Sequence, residues 1–395
     1  MTIPTFQFEL SPEQREIYDQ AFRFAKAELA PLLPRMDDED WYPEQLMPTL
    51  GKAGYLGITA PLEYGGSGMD LFSAGMVAEA FGYWNANAGF IWGPHENLCL
   101  NNILRNGSAE QKQRYLPRLC SGEWIGALAL TEPGAGSDAL DGMRTTARRD
   151  GDDYVLNGRK MFISNGPVAD MILVYAKTDP ALGAKGISAF IVEKDFPGFS
   201  VAQKLVKMGW RGCPTGELVF DECRVPARNL IGAENRGVAV VMSGLDLERA
   251  FLAMPCIGSA QRCLDLSLDY ANTRQQFGKP IGSFQMVQAM LADMYTELEA
   301  ARALAYRALM ACNALEQGGG GRGDLHKLCA ASILRVGEML LHVTDKAVQI
   351  HGGTGFIWET EVNRHYRNAK LATIGGGTSE VRRMIIAEEL LRAAR

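Results

Sequence analysis

The spacing of hydrophobic and polar positions changes twice along the chain. Over roughly the first 125 residues, apolar positions recur at helical spacing. Ser11-Pro12-Glu13-Gln14 pairs a capping residue with proline at the first helical position, and the amphipathic stretch behind it runs to about Leu29 or Pro31. A second periodic segment, 44–51, ends in glycine, and Gly65-Gly66-Ser67-Gly68 is too permissive for helix or strand. Helical periodicity then resumes over 71–81 and 97–104. The first third is therefore expected to be all-α.

From about Gly126 the period shortens. Tyr154-Val155-Leu156, Asn157-Gly158 and residues 159–163 read as a β-hairpin, because Asn-Gly suits a turn with positive φ at both central positions. Further β-rich runs at 171–175, 187–192 and 217–220 are separated by Gly, Pro and Asp. Helical periodicity returns at Gly237 and persists to the end, with the glycine tract 318–321 as a plain connector between two long helices. The order helix, strand, helix predicts an α+β chain of three domains: 1–125 all-α, 126–235 β, and 236–395 a helical bundle.

Composition narrows the function. With 395 residues, 47% hydrophobic and 22% charged, the chain can bury a large core and is neither disordered nor disulfide-stapled. A net charge of -6 offers no basic surplus for nucleic acid or an anionic membrane. The eight cysteines never fall as C-x-x-C and read as reduced intracellular thiols. No apolar run reaches the ~18 residues of a membrane span, and the first residues resemble neither a signal nor a transit peptide, so a cytoplasmic location is expected. The five histidines lack metal-ligand spacing, and neither G-x-S-x-G nor a phosphate-loop motif occurs. Metal, serine and nucleotide hydrolysis are disfavoured.

One carboxylate stands out. At 100° per residue, Val241, Leu245, Glu248 and Leu252 fall within about 60° of one another, so Glu248 sits on the apolar stripe of its helix. Burial raises a carboxyl pKa toward the range of a general base, although an ordinary ion pair with Arg249 or another cation fits the same spacing. Asp246 and Arg249 turn away from Glu248 and can pair with each other or bind a polar ligand.

Other segments each have two readings. LALTEPGAGSD at 128–138 is a turn, or a loop of small residues laid against a polar ligand. Phe162-Ile163-Ser164 ends a strand with an aromatic and a hydroxyl, which core packing also explains. Gln349-Ile350-His351-Gly352-Gly353 closes one helix, and Ile374-Gly375-Gly376-Gly377-Thr378-Ser379-Glu380 opens another; caps or a diphosphate site are both consistent. Arg274, in RQQFGKP, could meet phosphate or merely end a helix.

Taken together, LALTEPGAGSD, FISNG, RQQFGKPIGSFQ, QIHGGTGF and YRNAKLATIGGGTSEVRR resemble the acyl-CoA dehydrogenase family in order and spacing over essentially the whole chain. SGLDLERA, IGGGTSEVRR, GPHENLCLNNILRNGSAEQKQRYLP and APLEYGGSGM resemble its isovaleryl-type branch. The resemblance implies an N-terminal helical domain, a central β domain, a C-terminal four-helix bundle, a homotetramer and FAD. It implies that Leu128, Leu130, Thr131, Gly136, Ser137, Phe162, Ile163 and Ser164 line the flavin ring, and that Thr378 and Glu380 bind the cofactor elsewhere. It assigns the diphosphate and adenine end to Arg274, Phe277, Gln285, Gln349, Gly352 and Gly353, partly across the interface. Ser137, Asp246, Arg249, Gly376 and Gly377 would contact the thioester ligand.

Many family members carry their base as a Glu in the last loop, where this chain has Gly376, which takes no proton. The isovaleryl-type branch places it in LDLER, which is Glu248, the residue picked out by the stripe. The implied reaction is α,β-dehydrogenation of a short branched-chain, isovaleryl-CoA-like thioester. Glu248 takes the α-proton, the β-hydrogen leaves as hydride to FAD, the Gly376 amide and a ribityl hydroxyl hold the thioester oxygen, and electrons pass to an electron-transfer flavoprotein. Two departures touch the acyl and flavin fit: Ala239 stands where that branch tends to carry an aromatic, and Phe162 replaces a frequent tryptophan. The alternatives are the same reaction on a carrier-protein thioester, a flavin-dependent oxidase or oxygenase, and a silent binder.

Overall fold

The computed structural model describes residues 10–314 and 322–394, so the glycine connector expected at 318–321 lies outside the described residues. Helix α1 (Pro12–Phe24) starts with the expected capping box, Ser11 and Gln14 each bonding the other's backbone amide. The helical path continues through a π-helical turn, Ala25–Leu29, and a 3-10 turn into α2 (Leu33–Glu39), followed by α3 (Leu46–Lys52). Helix α4 (Leu71–Gly93) extends well past the expected end at 81. Residues 82–93 are buried on nearly every side, so no polar face marks the helical period there. A kink at Asn85 is held by its own side chain, which donates to the Leu29 carbonyl at 2.8 Å and accepts from the Ala88 amide at 2.9 Å. Helices α5 (Asn101–Asn106) and α6 (Ala109–Ser121) complete this part.

The middle of the chain forms one eight-stranded sheet. Its strands are β1 (Gly126–Ala129), β2 (Thr146–Asp150), β3 (Asp153–Ser164), β4 (Met171–Lys177), β5 (Ile187–Glu193), β6 (Phe199–Lys204), β7 (Thr215–Pro226) and β8 (Leu230–Ile231). They run in the order β6-β7-β3-β2-β4-β5-β8, with β1 parallel to β4.

The hairpin expected at Asn157-Gly158 is not there. Strand β3 runs straight through both residues, and the turn falls earlier, at Gly151-Asp152 between β2 and β3. Asn-Gly instead forms a bulge against β7, where the register shifts between Leu156 and Gly158. The Asn157 side chain pairs with Glu222, donating to its carboxylate at 2.7 Å and accepting from its amide at 2.9 Å. A β-carbon at Gly158 would lie 2.7 Å from the Thr145 Cα. The glycine serves close approach, a need that the dipeptide shares with a tight turn.

Among its described residues the last part holds five α-helices and a small hairpin. These are α7 (Gly237–Thr273), β9 (Gln275–Gln276), β10 (Lys279–Pro280), α8 (Gln285–Asn313), α9 (Gly323–His351), α10 (Glu361–Ala369) and α11 (Ser379–Ala393). The domains share a core: Phe81 and Trp92 of α4 and Phe251 and Ile257 of α7 belong to one buried cluster. Helices α4 and α7 approach backbone to backbone at paired glycines. A β-carbon at Gly258 would sit 2.0 Å from the Glu79 carbonyl oxygen, and one at Gly82 would sit 2.2 Å from that of Pro255. Gly258→Ala must therefore push the helices apart, and it is expected to cost about 3 kcal/mol of unfolding free energy in denaturant titration. An unchanged midpoint would show that the crossing can relax.

Candidate active site

Helix α7 carries Glu248 in its fourth turn, half-buried beside Leu252. Among the described residues, no hydrogen bond or ion pair engages its carboxylate, so the ion-pair reading is set aside. The group opposite is the loop before α11. Gly376 there has φ +68°, and a β-carbon on it would stand 3.5 Å from Leu252 Cδ2 and 3.8 Å from Glu248 Oε1. Two segments far apart in sequence thus converge on one carboxylate. Burial pushes the Glu248 carboxyl up to about 7, against the opposing pull of Arg249 and Arg382. Tyr175 of β4, fully buried and with no partner for its hydroxyl among the described residues, also feels the Glu248 charge.

Asp246 and Arg249 pair with each other, as their spacing allows, in a buried cluster. Arg249 Nη1 lies 3.3 Å from Asp246 Oδ1, and His326 Nδ1 of α9 lies 2.6 Å from the same oxygen. Among the described residues, Asp246 Oδ2 and Arg249 Nε have no hydrogen-bond partner, so the pair keeps bonding capacity for a ligand. Sequence reading missed His326. An isolated histidine carries no spacing signal, and only α9 packing on α7 brings it there.

The flavin-assigned residues of the β domain come together through backbone contacts. The Met161 amide donates to the Thr131 carbonyl at 2.8 Å, and Lys160 Nζ donates to the Leu130 carbonyl at 3.0 Å and to Glu132 Oε1 at 2.9 Å. Glu132 also accepts from the amides of Arg144 and Thr145, at 2.7 and 3.0 Å. This buried pair, absent from the sequence reading, locks the 130–132 segment onto β2 and β3. Leu128, Leu130, Thr131 and Ser164 are half-buried, whereas Gly136 and Ser137 are exposed. Phe162 has φ +62° and is 65% exposed, and a β-carbon at Gly134 or Gly136 would meet nothing within 4 Å. An exposed aromatic beside open glycine backbone fits the face of a planar ring system such as a flavin. Ile163 differs from the expectation for a lining side chain: it points into the β core, leaving only its backbone for a ligand.

The residues assigned to the diphosphate end group separately. Arg274 follows α7, and its amide donates to Tyr270, whose ring stacks on His351 at 4.3 Å. This joins Arg274 to the turn after α9, where Gly352 and Gly353 are exposed and open, with Gln349 exposed nearby. Phe277, at φ +53°, is 91% exposed, and Gln285 opens α8. Thr378 caps α11, accepting from the Val381 amide at 3.3 Å, and Glu380 sits exposed in its first turn. No hydrogen bond links the Arg274 set to the Phe162 set among the described residues.

A cleft of about 500 Å³ opens beside the start of α7, lined by Ala184, Lys185, Arg236, Val238, Ala239 and Met242. Its α7 wall precedes Glu248 by about two turns, and two cations and Asn235 stand among its apolar lining residues. Among the described residues no group of His, Cys, Asp or Glu could hold a metal ion, and no helix is long and apolar enough to cross a membrane.

Three family models match consecutive stretches: the acyl-CoA dehydrogenase N-terminal domain over 11–123, the middle domain over 127–223 and the C-terminal domain over 235–391. A mitochondrial isovaleryl-CoA dehydrogenase of Solanum tuberosum is 45% identical over 382 residues, covering 96% of this chain and 90% of the relative. Butyryl-CoA dehydrogenase of Megasphaera elsdenii superposes with a TM-score of 0.93 at 36% identity, covering 98% of this chain and all of that one. The prolyl acyl carrier protein oxidase AnaB superposes with a TM-score of 0.90 at 32% identity, covering 97% of this chain and all of that one.

Proposed function

Since the chain belongs to the acyl-CoA dehydrogenase family, flavoprotein oxidoreductases acting on CH-CH bonds, we propose that it dehydrogenates a short branched-chain, isovaleryl-CoA-like thioester to the 2-enoyl product. The observation that carries this reading is the Glu248 carboxylate, unpaired and facing glycine at 376. A base pKa near neutrality balances the ionised fraction against driving force for proton removal.

FAD would rest on Phe162 and the 130–137 loop, and when bound it supplies the hydride acceptor. The chain's own residues do the rest. Glu248 removes the α-proton. The Gly376 amide would bond the thioester oxygen as negative charge develops there, and the absence of a side chain beside Glu248 would leave room for a branched acyl group. Asp246 Oδ2 and Arg249 Nε, spare in the protein, would bond the pantetheine amides, and Lys185 and Arg236 would meet the phosphates at the cleft mouth. Electrons would pass to an electron-transfer flavoprotein. Exposed Phe277 and Phe356, at 91% and 82%, support a homotetramer that covers them. Eight free buried thiols fit a reducing cytoplasmic setting.

The test is anaerobic flavin bleaching by isovaleryl-, isobutyryl-, 2-methylbutyryl-, butyryl- and octanoyl-CoA. Fastest bleaching by a branched C4 or C5 thioester is expected, and preference for octanoyl-CoA would sink the substrate assignment. A second reading, the same reaction on a carrier-protein thioester, is favoured by Ala239, which widens the cleft mouth, and by the likeness to AnaB. Matched CoA and carrier-protein thioesters separate the two, and rapid air reoxidation of substrate-reduced protein would point to oxidase chemistry.

A further inference from the structure

Arg382 lies in the first turn of α11 with none of its side chain exposed. A guanidinium so placed is normally matched by a carboxylate, yet among the described residues none lies within ion-pair distance. It donates to backbone carbonyls instead: Nη1 to Ala372 at 2.7 Å and to Ile333 at 3.3 Å, and Nη2 to Gly375. Nε has no partner. Ile333 belongs to α9, while Ala372 and Gly375 belong to the turn that delivers Gly376 to Glu248. Room for the fork comes from Gly337 of α9, where a β-carbon would lie 2.5 Å from the Ala372 carbonyl oxygen and 3.4 Å from Nη1.

The charges in reach are few. Arg382 feels Cys256 and Glu248 of α7, Glu338 of α9, and the like charge of Arg249. Glu248 in turn faces Arg249 on its own helix, Arg382 on α11 and the neutral Tyr175 on β4.

We propose that Arg382 is a positioning residue for the base: it ties the 372–375 turn to α9, keeping Gly376 against Glu248, and it supplies buried positive charge that lets Glu248 be an anion. The inference rests on the reading of Glu248 as the base. A fork that bonds two carbonyls of one turn and a third on a neighbouring helix fixes that turn in a way a single-point ammonium cannot.

The test uses the FAD-loaded protein and the pH profile of the reductive half-reaction. R382M loses both charge and fork, so its rising limb should move to higher pH, lowering the rate at pH 7 by about tenfold per unit of displacement, with recovery in alkali only to the reduced plateau of a protein without the fork. R382K keeps charge but loses the fork, so its limb should stay in place while its plateau falls several-fold. An unmoved limb in R382M, a limb displaced equally in R382K, or losses equal at every pH would overturn the proposal. A second readout needs no activity: infrared titration of the Glu248 carboxyl in FAD-free protein, isolated by subtracting E248Q. Its midpoint should rise in R382M, and equal midpoints would overturn the inference. If that midpoint rises while wild-type protein bleaches with no acyl thioester, the proposed reaction fails and the role of Arg382 stands.

Discussion

Glu248→Gln is expected to retain FAD and lose the reductive half-reaction by about 10²–10⁴-fold, the range a positioned general base contributes. The substitution preserves shape and removes only the capacity to take a proton, so cofactor loss is not an alternative cause. The pH dependence of the wild-type protein carries the same information. With the carboxyl raised to about 7, the ionised fraction falls with acidity, and bleaching should slow about tenfold per unit below that midpoint. In Glu248→Gln this limb should vanish. Stability should move the other way. A carboxyl whose folded pKa lies above its unfolded value of 4.5 favours the protonated native state, so its stabilising contribution is complete below pH 4.5 and is lost as pH rises through about 7. Glu248→Gln cannot ionise, and it should be more stable than wild type above pH 7 by about 1–3 kcal/mol and equal to it in acid. Near wild-type bleaching in the mutant would remove Glu248 from the role.

The second large effect is expected at Lys160→Met. The lysine is fully buried on β3, and burial holds its pKa down to about 8 against the raising influence of Glu132. Removing it leaves the buried Glu132 carboxylate with two backbone amides and no counter-charge, a change that costs about 3–5 kcal/mol when one member of a buried pair is deleted. The Leu130 carbonyl loses its donor at the same time, so the 130–137 loop, proposed to hold the flavin ring, should loosen. Thermal unfolding and FAD content after gel filtration should both fall. Adding Glu132→Gln should restore part of the stability, because the unpaired charge then disappears. A double mutant no more stable than Lys160→Met would show that geometry at Leu130, rather than charge, is what the lysine supplies.

What the sequence by itself determined is the part of the molecule built from local signals. The Ser11 cap, the change from helical to β spacing near Gly126 and the return at Gly237 depend on neighbours within one or two turns, and the structure reproduces them. Glu248 was legible for the same reason: a charged residue on an apolar stripe is visible within four turns of one helix. The Asn157-Gly158 bulge was misread because glycine answers two needs, positive φ and close approach, and only the partner strand shows which applies. Tertiary structure alone decided the rest. His326 beside Asp246, Lys160 under Leu130, Arg382 behind Gly375 and Gly376 against Glu248 are contacts between distant segments. Their energy comes from burying charge or backbone at a meeting point, and no local pattern records where that point falls.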